Sequence, residues 1–165
     1  MMRGRLRLSL LCLTLLLPLS GGADAADPAP SLSLTGKIKQ PQQFDLDRLR
    51  ALASQDVQVS FDTEHGPQQT HYTGVLLLTL LDQAGGIDDA AKGAVLRHVI
   101  KITGKDGYIV VLSTGEISPD FGAKPAMIAY QRDNEAPGAS GFRLVMPGDK
   151  KGGRNVRDVV AIDVQ

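Results

Sequence analysis

From Leu76 to Ala84 the chain reads L-L-L-T-L-L-D-Q-A and then meets Gly85-Gly86. The spacing predicts a helix that stops at the glycine pair, the punctuation that suits a helix C-terminus. Its apolar residues fall nearly all the way round, so it must be buried on nearly every side. One helix cannot cover itself, and the rest of the chain has to surround it. That rest is a series of short apolar runs broken by glycine, proline and polar turns.

Taken in order, Leu32, Leu34 and Ile38 alternate with polar residues, so Ser31 to Lys39 reads as a strand stopped by Pro41. Phe44-Asp45-Leu46 opens a short helix, with Asp45 as N-cap and Leu46, Leu49 and Leu52 on one face. Val57, Val59 and Phe61 alternate inward in the next strand. His65-Gly66-Pro67 forces a turn, Gln68 to Tyr72 returns as a hairpin arm, and Thr73-Gly74-Val75 leads into the leucine-rich helix. Asp88 to Gly93 reads as a loop or a single turn. Val95 to Thr103 and Tyr108 to Leu112 read as strands of a hairpin turned at Gly104-Lys105-Asp106-Gly107. Ser113 to Gly122 reads as irregular, Ala126 to Tyr130 as a strand, and Arg132 to Gly138 as a polar turn. Phe142 to Met146 and Val159 to Val164 are the last two strands. About eight short strands and two short helices that do not alternate regularly predict an α+β fold. The expectation is one compact mixed-sheet or barrel-like domain, not a doubly wound parallel sheet.

The first 25 residues read as something other than fold. Arg3, Arg5 and Arg7 make a basic start, Leu8 to Leu17 an apolar run, and Ala23-Asp24-Ala25 a small-residue cleavage site. The run is shorter than the about 20 residues that span a bilayer. Residues 1–25 are therefore expected to be a cleaved signal peptide, 26–30 a tether and 31–165 the domain, placed in the periplasm or secreted with no membrane span after cleavage. Of 18 basic and 18 acidic residues, 15 and 17 lie beyond residue 25, a net charge of −2 with no basic face for nucleic acid. The one cysteine is Cys12, inside the leader. Disulfides, thiolate metal ligands and cysteine nucleophiles are thereby excluded from the domain.

Gly141 to Val164 is where a ligand site is expected. An apolar strand runs into Pro147-Gly148, then a loop holding Lys150, Lys151, Gly152 and Gly153, then Arg154, Asn155 and Arg157 ahead of the last strand. Adjacent glycines let backbone approach a bound group, and cations with free N–H groups suit an anionic or carbonyl-rich partner.

Four segments in this order resemble the molybdopterin-binding domain of sulfite-oxidase-type oxidoreductases. Y-T-G-V-L-L-L-T-L-L-D-Q-A-G-G (72–86) is similar to that family's "W-x-G-V-P-L-x-x-L-L-x-x-A-G". T-G-K-D-G-Y-I-V-V-L (103–112) is similar to "S-x-D-G-Y-x-x-x-L". Ile128-Ala129-Tyr130 with Asp133-Asn134-Glu135 is similar to "L-A-Y-x-x-N-G-E-P-L", and the closing G-F-R-L-V-M-P-G…G-G-R-N-V-R-D to "G-x-P-L-R-L-V-V-P-G…G-x-R-S-V-K-W". Together they cover roughly Ser31 to Val164. The resemblance implies an α+β fold gripping a molybdopterin whose molybdenum is bound by one protein cysteine. That cysteine belongs at about Phe61 to Glu64, where this chain has Phe61-Asp62-Thr63-Glu64. A carboxylate is a hard oxygen donor and does not replace a thiolate. Asp158 stands where the family has tryptophan, and the chain has no tryptophan at all.

The resemblance therefore implies pterin or molybdopterin binding without cysteine-ligated molybdenum. It carries Arg143, Lys151, Gly153, Arg154, Asn155 and Arg157 over as contacts to the pterin and its phosphate. A pterin offers an amino group and a ring N–H side by side, a pair one carboxylate can accept; Asp158, Asp62 and Glu64 are the candidates. His65 and His71 are candidate polar contacts, their spacing fitting no established metal-ligand pattern, and Tyr72 is a candidate pocket wall. The expected function is a non-catalytic pterin-binding or sensing module that reports to a membrane-bound signalling or redox protein. The alternatives are an oxidoreductase whose molybdenum is held by the cofactor alone, and a domain kept only for protein interaction.

Overall fold

The computed structural model describes residues 29–63 and 65–165. The expected leader, residues 26–28 of the tether and Glu64 lie outside the described residues. The leucine-rich run forms a helix, Leu77–Gln83, with Leu77, Leu80 and Leu81 buried and the glycine pair after it in left-handed backbone. The helix is as expected, but it is not buried on nearly every side: Leu78 and Thr79 are half-buried and Asp82 and Gln83 exposed, because the core covers one face of it. What covers it is a pair of sheets rather than one mixed sheet or barrel.

In chain order the strands are β1 (Ser31–Gly36), β2 (Gln42–Asp45), β3 (Ser54–Thr63), β4 (Gly66–Leu76), β5 (Val99–Gly104), β6 (Ile109–Ser113), β7 (Met127–Arg132), β8 (Arg143–Val145) and β9 (Val159–Val164). The α-helices are α1 (Leu46–Arg50), α2 (Leu77–Gln83) and α3 (Thr114–Ile117), with 3₁₀ turns at Ala94–Leu96 and Gly152–Arg154. One sheet has the order β2-β1-β9-β5-β6 and the other β3-β4-β7-β8. Every pairing is antiparallel except β1 with β9, which run parallel. The fold is α+β.

One core fills the space between the sheets. Leu32, Leu34, Ile100, Ile102, Ile162 and Val164 come from the five-stranded sheet, and Val75, Ile128 and Leu144 from the other. Leu77, Leu80 and Ala84 of α2 and Leu49 of α1 complete it. Gly74 has a steric role here. A Cβ on it would collide with the Ile128 carbonyl oxygen and the Ala129 Cα, so β4 and β7 can cross only at a residue without one. The ladder register shifts at that point, between Thr73 and Gly74.

Several local expectations are corrected. Residues 42–45 form β2 rather than opening the helix, because β1 offers Phe44 a partner at Leu32. Asp45 nonetheless caps α1 as expected, its side chain accepting from Arg48 N at 2.8 Å. Strand β4 runs on through Thr73-Gly74-Val75, paired to β7, instead of leaving the sheet after Tyr72. The Val95–Thr103 run is split into the 3₁₀ turn at Ala94–Leu96 and β5, with Leu96 exposed. Ser113–Gly122 is not wholly irregular: Ser113 caps α3, accepting from Gly115 N at 3.2 Å.

Leu80 is fully buried and Leu78 half-buried on the same helix. Leu80→Ala is expected to lower unfolding stability by about 2–5 kcal/mol in urea titration, and Leu78→Ala by clearly less. Equal losses would mean the helix is not packed as described.

Candidate functional site

Residues 146–158 carry the chain from β8 in one sheet to β9 in the other. Hydrogen bonds fix this closing loop along its length. Lys150 O accepts from Asp62 N (2.8 Å), Val156 O from Leu144 N (3.0 Å), and Gly153 O from the Tyr108 hydroxyl (2.8 Å). Asn155 turns its Oδ1 back to accept from Met146 N at 3.1 Å. The loop lies over the outer face of the four-stranded sheet, where Val59, Tyr72, Met127, Ala129 and Val145 form a second small core.

Between loop and sheet is a cleft of about 200 Å³. Strand alternation decides what faces it. On β3 and β4, Phe61 lies opposite Gln68 and Val59 opposite Thr70, so Phe61, Gln68, Thr70 and Tyr72 share one face. Arg132 lies opposite Tyr72 on β7, and Arg143 opposite Ala129 on β8. Asp62, Gly152, Asn155 and Arg157 close the rim. A second depression of about 260 Å³, lined by Asp106, Tyr108 and Gly153, shares Gly152, Asn155 and Arg157 with the first.

The cleft brings three guanidinium groups together with one carboxylate. Arg143 stands over the Tyr72 ring, its Cζ 5.9 Å from the centroid and its Nη1 3.5 Å from the phenol oxygen. Neither Arg143 nor Arg157 has a carboxylate partner among the described residues. Arg132 Nε lies 3.5 Å from an Asp133 oxygen, yet it is buried without an aligned hydrogen-bond partner. Uncompensated cations at a partly enclosed site favour an anionic or carbonyl-rich occupant. Phe61 and Tyr72 supply aromatic walls, and Asp62, which alternates away from Phe61 along β3, meets the cleft at its rim.

The other expected site residues lie elsewhere. Arg154 is held between two carboxylates and does not line the cleft. It donates from Nε and Nη2 to both oxygens of Asp149 (2.7 and 2.6 Å) and from Nη1 to Glu116 (2.8 Å). These bonds raise the Arg154 pKa, Asp149 first and Glu116 second, and the same guanidinium lowers that of Asp149. Arg154 thus pins the loop to α3. Asp158 adopts left-handed backbone (φ 46°) and sets its carboxylate against Gly141, where a Cβ has no room. It lines a separate depression of about 430 Å³ with Lys105 and Phe142. Lys151 is exposed outside the cleft and Gly153 lines only the second depression. His71 points away from the Tyr72 face, with its backbone N–H on Asp133 (2.9 Å), and His65 is exposed at the β3–β4 turn. Gln68, Thr70 and Arg132 were not singled out by sequence. The first two carry a readable signal, the period-two spacing with Tyr72; Arg132 joins only through register.

The Arg154–Asp149 pair has a pH signature. A carboxylate with a folded pKa below its ordinary value contributes stability that is present above the unfolded pKa and is lost as pH falls through the folded one. Stability is therefore expected to fall between about pH 5 and pH 2, and Asp149→Asn should flatten that acid limb while lowering stability near neutrality. Thermal melts across the pH series check this; an unchanged limb would remove Asp149 from the account.

No family model matches the chain, and no curated protein matches it in sequence. Among solved structures it is similar to the sulfane dehydrogenase SoxCD from Paracoccus pantotrophus, with a TM-score of 0.64 and 18% identity. The match covers 82% of this chain but 38% of that one, so the likeness is one of fold over a part of the larger protein.

Proposed function

We propose that this chain is a non-catalytic binding module for a pterin, or a related heterocycle bearing an anionic group, held in the cleft under the closing loop. The observation that carries the reading is the lining: three arginines and one carboxylate beside aromatic walls, in a domain without a thiolate. In this reading Asp62 accepts the amino and ring N–H pair, while Phe61 and Tyr72 wall the ring. Arg143 and Arg157 hold the anionic substituent, and Asn155 offers its amide N–H₂, its oxygen being committed to Met146 N.

The residues fit the organic part of a molybdopterin and do not fit its metal. Asp62 is a hard oxygen donor where a soft one is needed, and no group of three His, Cys, Asp or Glu among the described residues is placed to hold a metal. The fold likeness to a dehydrogenase favours a second reading, an oxidoreductase whose molybdenum is held by its cofactor alone. In the first reading residues 1–25 serve as a signal peptide, binding takes place in the periplasm, and occupancy is passed to a membrane-bound signalling or redox protein.

The two readings separate in one experiment. The purified protein is denatured, and the released material is assayed for molybdenum and for pterin fluorescence; with no tryptophan in the chain the optical background is low. Pterin without molybdenum is expected. Added phosphorylated pterin should then bind, and Arg143→Ala should weaken it about 10-fold or more, the loss typical of a hydrogen bond to a charged group. Stoichiometric molybdenum would favour the oxidoreductase, and no pterin released or bound would sink both.

A further inference from the structure

Strand β6 ends its sheet, and it is unlike the other sheet edges. At β2, Arg48 donates to the Gln43 carbonyl and to Gln42 Oε1, capping the edge. Strand β3 carries Asp56 and Asp62, and β8 is three residues long. Charges, caps and shortness are the usual protections of an exposed edge. β6 reads I-V-V-L-S, with neither charge nor proline.

The direction of its backbone groups follows from its neighbours. Gly104 N donates to Tyr108 O (2.9 Å) and Thr114 N donates to His98 O (3.1 Å), so the even-numbered residues face β5. Ile109 and Val111 therefore point their N–H and C=O groups outward from the sheet, and Ser113 its N–H, while the Ser113 C=O is taken up by the first turn of α3 that it caps. Their side chains are on the solvent face, with Ile109 48% and Val111 55% exposed, while Val110 and Leu112 are buried. Outward polar groups at every second residue, with no strand beside them among the described residues and flanked by exposed apolar side chains, match an extended chain.

We propose that β6 pairs with β6 of a second copy, antiparallel about a two-fold axis through Val111, joining two five-stranded sheets into one. Val111 then faces Val111, a pair that exchanges two hydrogen bonds, and Ile109 faces Ser113, whose N–H donates to the Ile109 carbonyl. The charge pattern favours this occupant. No charged residue lies on the strand, so self-pairing sets no like charges opposite one another. Lys101, which lies opposite Val111 on β5, would stand three strand spacings from its counterpart in the second copy, about 14 Å, beyond the screening length of about 8 Å. Each Lys101 also lies opposite Asp163 in its own sheet. Closed two-fold association is the commonest form that such an edge takes.

The test is sedimentation of the purified protein over a roughly hundredfold concentration series, with Val111→Pro and Val111→Lys beside it. Proline at 111 deletes only an outward N–H, which an edge strand tolerates; lysine leaves the backbone intact and places a charge at the two-fold axis. Wild type is expected to approach twice the monomer mass, and each variant to weaken association by at least roughly tenfold with circular dichroism unchanged. Hydrogen exchange at Val111 and Ser113 should slow with concentration, while Val110 and Leu112 stay constant. A wild type that remains monomeric throughout overturns the proposal, as does a dimer that both variants leave intact.

Discussion

The last strand holds the molecule together. β9 lies between β1 and β5, so two neighbours depend on it for their hydrogen bonds, and Ile162 and Val164 place it in the main core. The segment that leads into it starts from the other sheet. The closing loop therefore has both ends fixed in packed structure, and whatever it presents to the cleft is presented by a short, anchored span. Arg154 tightens this further by tying the loop to α3 through Asp149 and Glu116. A loop so fixed has already lost much of its conformational entropy on folding, and an occupant gains from that preorganisation.

Within that frame the arginines divide by their partners. Arg154 has two carboxylates and is structural. Arg143 and Arg157 have none among the described residues, and Arg132 has one poorly aligned neighbour. Charged groups left without a counter-ion on a folded surface raise the local potential and draw in the opposite charge. Sequence spacing cannot make this division, since the carboxylate that meets Arg154 from α3 lies 38 residues away.

What was legible in the sequence follows the range of the interactions responsible. The α2 helix, the Asp45 cap and the 104–107 turn are set by neighbours a few residues apart, and each was readable. Strand β2 was hidden because its partner β1 supplies the reason for its extended form, and Phe44-Asp45-Leu46 carries an equally good helix start. The cleft was half legible. Arg143, Asn155 and Arg157 came from the resemblance, Tyr72 as a candidate pocket wall, and Asp62 from the strand end that lacks cysteine. Asp158 sits in another depression because its left-handed backbone turns its carboxylate onto Gly141. That turn depends on how β8 meets β9, which no local pattern records.

The parallel pairing of β1 with β9 joins the first and last strands of the fold, Ser33 beside Ala161. An amino-terminal portion of this chain cannot assemble the five-stranded sheet on its own. Its first strand has only β2 for company until residues 159–164 are available to pair. Long-range closure of this kind slows folding, and here it also orders it, with the sheet completed only once β9 has joined. For as long as β9 is missing, the inner edges of β1 and β5 both stand unpaired, and neither can serve as the other's partner.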